Sequence, residues 1–182
     1  MTIRRLLVAH RGEIARRVFR TAKEMGIFTV AVHSEGDADA PFVGDADLGV
    51  ALGGTTATES YLDSEKVLAA AISVGADAIH PGYGFLSENA DFAQAVINAG
   101  ITWVGPPPSA IAALGDKLEA KRTMVGAEVP TLPSLEVSES SDLGAIAQEI
   151  GFPLLVKASA GGGGKGMRVV ENKANLEDAV VG

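Results

Sequence analysis

Apolar and polar positions follow two rhythms along this chain. Leu6-Leu7-Val8-Ala9 is an unbroken apolar run, the pattern of a strand covered on both faces. After it, Ile14, Ala15, Val18, Phe19, Ala22 and Met25 recur at helical spacing over residues 12–25, and Gly26 supplies the stop. Residues 28–32 and 48–52 read as the next two strands. Helices over residues 64–74 and 89–98 precede strands over residues 77–80 and 102–104. Strands separated by helical segments imply right-handed crossovers, and so an α/β fold: a Rossmann-like parallel sheet with helices on both faces. Pro106-Pro107-Pro108 ends this unit, which spans residues 1–108.

Residues 109–129 read as a mostly helical connector, broken near Gly115. A second, incomplete domain is expected over residues 130–182. It opens with "VPTLPSLEVSESS", a loop holding one short extended piece, and a helix over residues 142–150 follows. The closing "NLEDAVVG" starts like a helix and stops after about two turns. A glycine hairpin and two short helices are expected to bury no core of their own.

The hairpin is the stretch "LLVKASAGGGGKGMRVV", Leu154 to Val170. Consecutive glycines cost backbone entropy, and the usual reason to use them is close approach of N–H groups to phosphate. A Walker-type loop fails, because Ser159 stands where its first Gly belongs and Gly166 where Ser or Thr is required. Gly161, Gly163 and Gly166 match G-x-G-x-x-G, but Met167-Arg168-Val169-Val170 continues as a strand rather than the required helix. A flap over a polyphosphate, with Lys157 ending one strand and Lys165 in the tip, fits better. The competing reading is a flexible glycine linker.

Composition narrows the class. The chain has 182 residues, enough for one domain and part of another, and is 47% hydrophobic with 5% aromatic. A net charge of −8 argues against a general nucleic-acid binder. With no cysteine, disulfides and thiolate metal sites are excluded. No apolar run approaches the roughly 20 residues of a membrane span, so a soluble cytoplasmic protein is expected.

Open parallel sheets take ligands beyond the carboxyl ends of their strands. Those ends carry His10-Arg11-Gly12-Glu13, His33-Ser34-Glu35, Gly53-Gly54, "HPGYGF" and Gly105-Pro106, so all three histidines fall on one edge. A three-histidine metal site is the sharp reading, and polar residues gathering where strands emerge is the plain, preferred one. "AHRGEIARR" lacks the dinucleotide fingerprint. In "HPGYGFLSEN", two glycines flanking an aromatic make a tight loop, and Ser87-Glu88 are placed to cap the helix that follows.

"RGEIARR", "HPGYGFLSEN", "VGPP", "GDKLEAKR" and "LLVKASAGGGGKGMRVV", in this order and spacing, resemble the biotin carboxylases of the ATP-grasp superfamily. The likeness covers essentially the whole chain. It implies a pre-ATP-grasp domain over residues 1–108 and the start of an ATP-grasp lid domain from about residue 130. It also implies an ATP-dependent ligase that activates bicarbonate with ATP and magnesium and carboxylates biotin on a biotinyl carrier domain. The resemblance further implies a carboxyltransferase partner that selects the acyl acceptor, and a homodimer in the full-length protein.

By the same resemblance, Lys117 and Lys157 match nucleotide-contacting lysines, and Gly163, Gly164 and Lys165 belong to the loop over the phosphates. Tyr83 lies in the loop lining the biotin side, and Arg17, Arg20 and Glu24 match homodimer-interface positions. His10 stands where the family usually has Asn. The family's magnesium-binding carboxylates, bicarbonate-binding cations and catalytic arginine fall beyond residue 182, so no catalytic residue is assigned here and the chain alone is expected to be inactive. Another ATP-grasp ligase, of carbamoyl phosphate or purine type, and a stand-alone nucleotide-binding module remain the alternatives.

Overall fold

The computed structural model describes residues 2–115, 117–138, 140–157 and 166–181. The chain divides into two compact units, Met1–Gly115 and Asp116–Gly182.

In the first unit, β1 (Arg5–Val8), β2 (Phe28–His33), β3 (Leu48–Ala51), β4 (Ala78–His80) and β5 (Thr102–Trp103) form the expected parallel sheet, in the order β3-β2-β1-β4-β5. Strand alternation builds two cores from one sheet. Leu6, Val8, Ala31 and Ala78 face α1 (Gly12–Glu24) and α2 (Pro41–Asp45), against Ala15, Phe19, Ala22 and Phe42. Leu7, Val30, Val32 and Ile79 face the other way, against Val67 and Ala71 of α3 (Ser64–Ser73), Phe92 and Val96 of α4 (Ala90–Asn98), and Ile111 of α5 (Pro108–Gly115). Each buried Leu, Ile, Val or Phe side chain contributes about 1.5–3 kcal/mol, which is why both faces must be covered.

Polar side chains fix the strand starts. Asp77 accepts from the backbone N–H groups of Arg4 and Arg5, both at 3.0 Å, and locks the entry to β1 beside that to β4. Asp47 does the same for β2, accepting from the backbone N–H and the hydroxyl of Thr29, each at 2.8 Å.

One local expectation is corrected, and one short helix is new. Ser87 and Glu88 do not cap the following helix. They lie in a 3-10 turn, Phe85–Glu88, and Asn89 caps α4 by accepting from Phe92 N–H at 2.9 Å. An amide oxygen two residues further on has the geometry that a cap needs. Helix α2 was not legible from periodicity because it has only five residues, though Pro41 at its start and buried Phe42 anchor it.

The second unit contains α6 (Lys117–Gly126), α7 (Leu143–Ile150), β6 (Leu154–Val156), β7 (Arg168–Val170) and α8 (Leu176–Val181). β6 and β7 pair antiparallel with Leu154 opposite Val170, so the predicted hairpin strands are present. One face of the hairpin is covered: Ala147, Leu154, Val170 and Leu176 form a small core, which corrects the expectation of none. The pairing register places Leu154 and Val170 on the same face, so two short helices suffice to cover them. The described residues of "VPTLPSLEVSESS" form no strand. Pro130 and Pro133 cannot donate to a ladder, and Leu132 is 85% exposed.

Candidate functional site

From β1 the chain winds through α1 to β2 on one side, and β4 lies on the other side of β1. The winding therefore reverses between β1 and β4, and the loops beyond their carboxyl ends face a crevice. Their last residues remain paired, with Ala9 N–H donating to the His80 carbonyl at 2.9 Å.

Three groups shape that crevice. His80 Nδ1 accepts from Gly82 N–H at 3.0 Å, which turns the chain sharply after β4, and burial lowers the His80 pKa. Gly82 has φ +71°, and a Cβ there would lie 2.8 Å from Cβ, Cγ and Cδ2 of His10. Only glycine permits this approach. Tyr83 is 66% exposed, and its hydroxyl donates to Glu13 Oε1 at 3.2 Å, a contact that raises the tyrosine pKa. A groove of about 480 Å³ runs from this end along α1. Glu13, Arg17, His80, Gly82 and Tyr83 line its polar part, and Ile14, Val18 and Met25 its apolar part.

His10, left without a clear role by the sequence, is a packing residue. Its ring stacks on Phe85 at 4.6 Å and lies against Gly82, and its Nδ1 accepts from Arg11 N–H at 2.9 Å. All three histidines stand at the carboxyl edge, as read. Among the described residues, no group of three or more His, Cys, Asp or Glu side chains is placed to hold a metal ion.

The other sequence-predicted residues divide by unit. Arg17, Arg20 and Glu24 are exposed on α1. Lys157 is exposed immediately after β6, at the end of the strand as expected. Lys117 is the first residue of α6. Gly163, Gly164 and Lys165 lie outside the described residues, as does the flap built on them. Sequence reading missed Asp37 and Tyr61. Asp37 lies two residues past the strand-end stretch considered, and Tyr61 sits in a loop with no periodic signal.

A crevice at a strand-order reversal marks the doubly wound class of α/β proteins, which take ligands at this edge. Within that class, the chain belongs to the biotin carboxylase family. Residues 2–111 match the family model for the biotin carboxylase N-terminal domain. Residues 116–182 match that for the ATP-binding domain of the carbamoyl-phosphate synthase L chain.

Similar proteins include the biotin-dependent acyl-coenzyme A carboxylase alpha3 subunit of Mycobacterium leprae, 51% identical over 97% of this chain and 30% of the relative. The biotin carboxylase of Haemophilus influenzae is 47% identical over 98% of this chain and 40% of its own length. Among solved structures, the biotin carboxylase–β,γ-ATP complex from Campylobacter jejuni aligns over 98% of this chain and 40% of that one, with a TM-score of 0.90 and 45% identity. The biotin carboxylase domain dimer of Hydrogenobacter thermophilus 2-oxoglutarate carboxylase, in complex with MgADP, ADP and bicarbonate, aligns with a TM-score of 0.87 at 44% identity, over 98% and 41% of the two chains. The chain thus spans less than half the length of these relatives.

Proposed function

We propose that this chain is the N-terminal part of a biotin carboxylase, which uses ATP and bicarbonate to carboxylate biotin held on a carrier domain. The observation that carries the reading is the likeness of 98% of the chain, at a TM-score of 0.90, to a biotin carboxylase–β,γ-ATP complex. The chemistry available agrees with it. Lys157 is exposed where β6 ends, four residues before the glycine run begins. A cation placed there suits phosphate oxygens, and each such charge-assisted contact is worth roughly 1.5–3 kcal/mol. Lys117, Lys165 and the N–H groups of Gly163 and Gly164 complete the nucleotide contacts.

Tyr83 and Glu13 form the wall on the biotin side, at the sheet's ligand edge. Arg17, Arg20 and Glu24 belong to a homodimer interface in the full-length protein, and a carboxyltransferase subunit takes the carboxybiotin onward. Magnesium, when bound with ATP, neutralises phosphate charge. No cluster of described residues fits it, so its ligands are assigned to the longer polypeptide, with the bicarbonate-binding cations and the catalytic arginine. The carbamoyl-phosphate synthase match at residues 116–182 supports ATP binding, while the match at residues 2–111 favours a carboxylase.

The test is phosphate release from MgATP by the polypeptide extended to the length of its relatives. Release that requires both bicarbonate and free biotin is expected. Turnover driven by ammonia or glutamine and indifferent to biotin would sink the reading.

A further inference from the structure

Four strand-end loops meet in a connected set of side chains that no catalytic assignment uses. Tyr61, in the loop after β3, is 1% exposed, and its hydroxyl donates to Asp37 Oδ2 at 2.6 Å. The same hydroxyl accepts from Ser34 N–H at 3.1 Å, so both of its hydrogen-bonding roles are filled. Asp37, in the 3-10 turn after β2, also accepts from Ser34 Oγ and from Arg11 Nη1, each at 3.2 Å. Arg11, just after β1, places its guanidinium 5.4 Å from the Tyr61 ring and 5.7 Å from the Phe85 ring.

The rings stack in order. Tyr61 lies parallel to Phe85 at 5.4 Å with an interplanar angle of 5°, and Phe85 stacks on His10 at 4.6 Å. Phe85 closes the loop that carries Tyr83, and its φ of +46° is unusual for a side chain of this size. A backbone held there needs an external reason to stay. Gly82 is seated against His10 and bonded to His80 at one end of the loop, and the Phe85 ring is the fixed point at the other.

We propose that Asp37, Tyr61 and Phe85 are positioning residues for Tyr83. The Asp37–Tyr61 hydrogen bond fixes a ring on which Phe85 rests, and Phe85 fixes the direction in which the loop presents Tyr83. None of the three touches the groove itself, so they act through the loop. The proposal rests on the reading that Tyr83 faces biotin.

The variant that isolates it is Tyr61→Phe, which keeps the buried ring and its packing and removes only the hydroxyl. In the full-length enzyme, the KM for free biotin is expected to rise about three- to tenfold, equal to about 0.7–1.4 kcal/mol. The KM for ATP stays within twofold, since the nucleotide contacts are elsewhere. In the 182-residue chain, amides 82–86 should exchange faster than in the wild type, while those of β1 keep their rates. An unchanged biotin KM overturns the proposal, and so does faster exchange spread evenly over β1 and the loop, the mark of a general loss of stability. Should the wild-type enzyme show no biotin-dependent turnover, the proposed function fails. The exchange of amides 82–86 then decides by itself whether Tyr61 holds the loop.

Discussion

Gly82 lies against His10 so closely that an added Cβ would stand 2.8 Å from the Cβ, Cγ and Cδ2 of that histidine. Neither the fixed Cβ nor a ring stacked on Phe85 can move aside cheaply. Gly82→Ala therefore suffers twice: about 1–2 kcal/mol for a left-handed backbone and about 1–3 kcal/mol for overlap in a packed site. Gly26 has φ +74° and open space around it, so Gly26→Ala suffers only the first. Urea denaturation of the two variants should rank them in that order, and equal midpoints would contradict the contact.

The turn after β4 makes the stability of the first unit depend on pH. Burial lowers the His80 pKa from its ordinary 6.5, and Nδ1 accepts from Gly82 N–H, which needs the neutral ring. The unfolded chain then binds the proton more readily than the folded one between the lowered value and 6.5. This contribution is complete above 6.5 and is lost as pH falls below it, toward the lowered value. His80→Asn keeps an acceptor without titrating, so it should lose part of the decline in denaturation midpoint between about pH 7.5 and about pH 5.5. An identical decline in both proteins would assign the slope to other groups.

Asp47 holds the entry to β2. It accepts from both Thr29 donors and pairs with Lys23 at 3.1 Å, and the Thr29 N–H contact is the first cause of its lowered pKa. Thr29 is fully buried, so Asp47→Ala leaves donors without a partner in the protein. A loss of roughly 1–3 kcal/mol is expected, measured as the unfolding free energy of the chain. A loss below about 0.5 kcal/mol, the size typical of an unimportant surface change, would mean that water satisfies Thr29 equally well.

Lys157 carries the nucleotide side of the proposed function. In the full-length enzyme, Lys157→Ala should raise the KM for ATP and lower kcat/KM by about ten- to a hundredfold, the worth of one charge-assisted phosphate contact. An unchanged KM for ATP removes Lys157 from the site.

The five-stranded parallel sheet was legible because strands covered on both faces read as continuous apolar runs, Leu6 to Ala9 and Val30 to Val32 among them, while α1 shows its 3.6-residue period. The placement of His10, His33 and His80 on one edge followed from chain direction alone, since parallel strands put all their carboxyl ends on the same side. Lys157 at the end of β6 was legible for the same local reason. Tertiary structure decided the rest. Strand order, and with it the crevice between β1 and β4, depends on which strands pair, a choice that no local pattern encodes. The His10–Gly82 approach joins residues 72 positions apart, and the Asp37–Tyr61–Phe85 set joins loops after three different strands. Periodicity reports which way a side chain faces on its own element. Contacts between loops arise only when the sheet has brought their ends together.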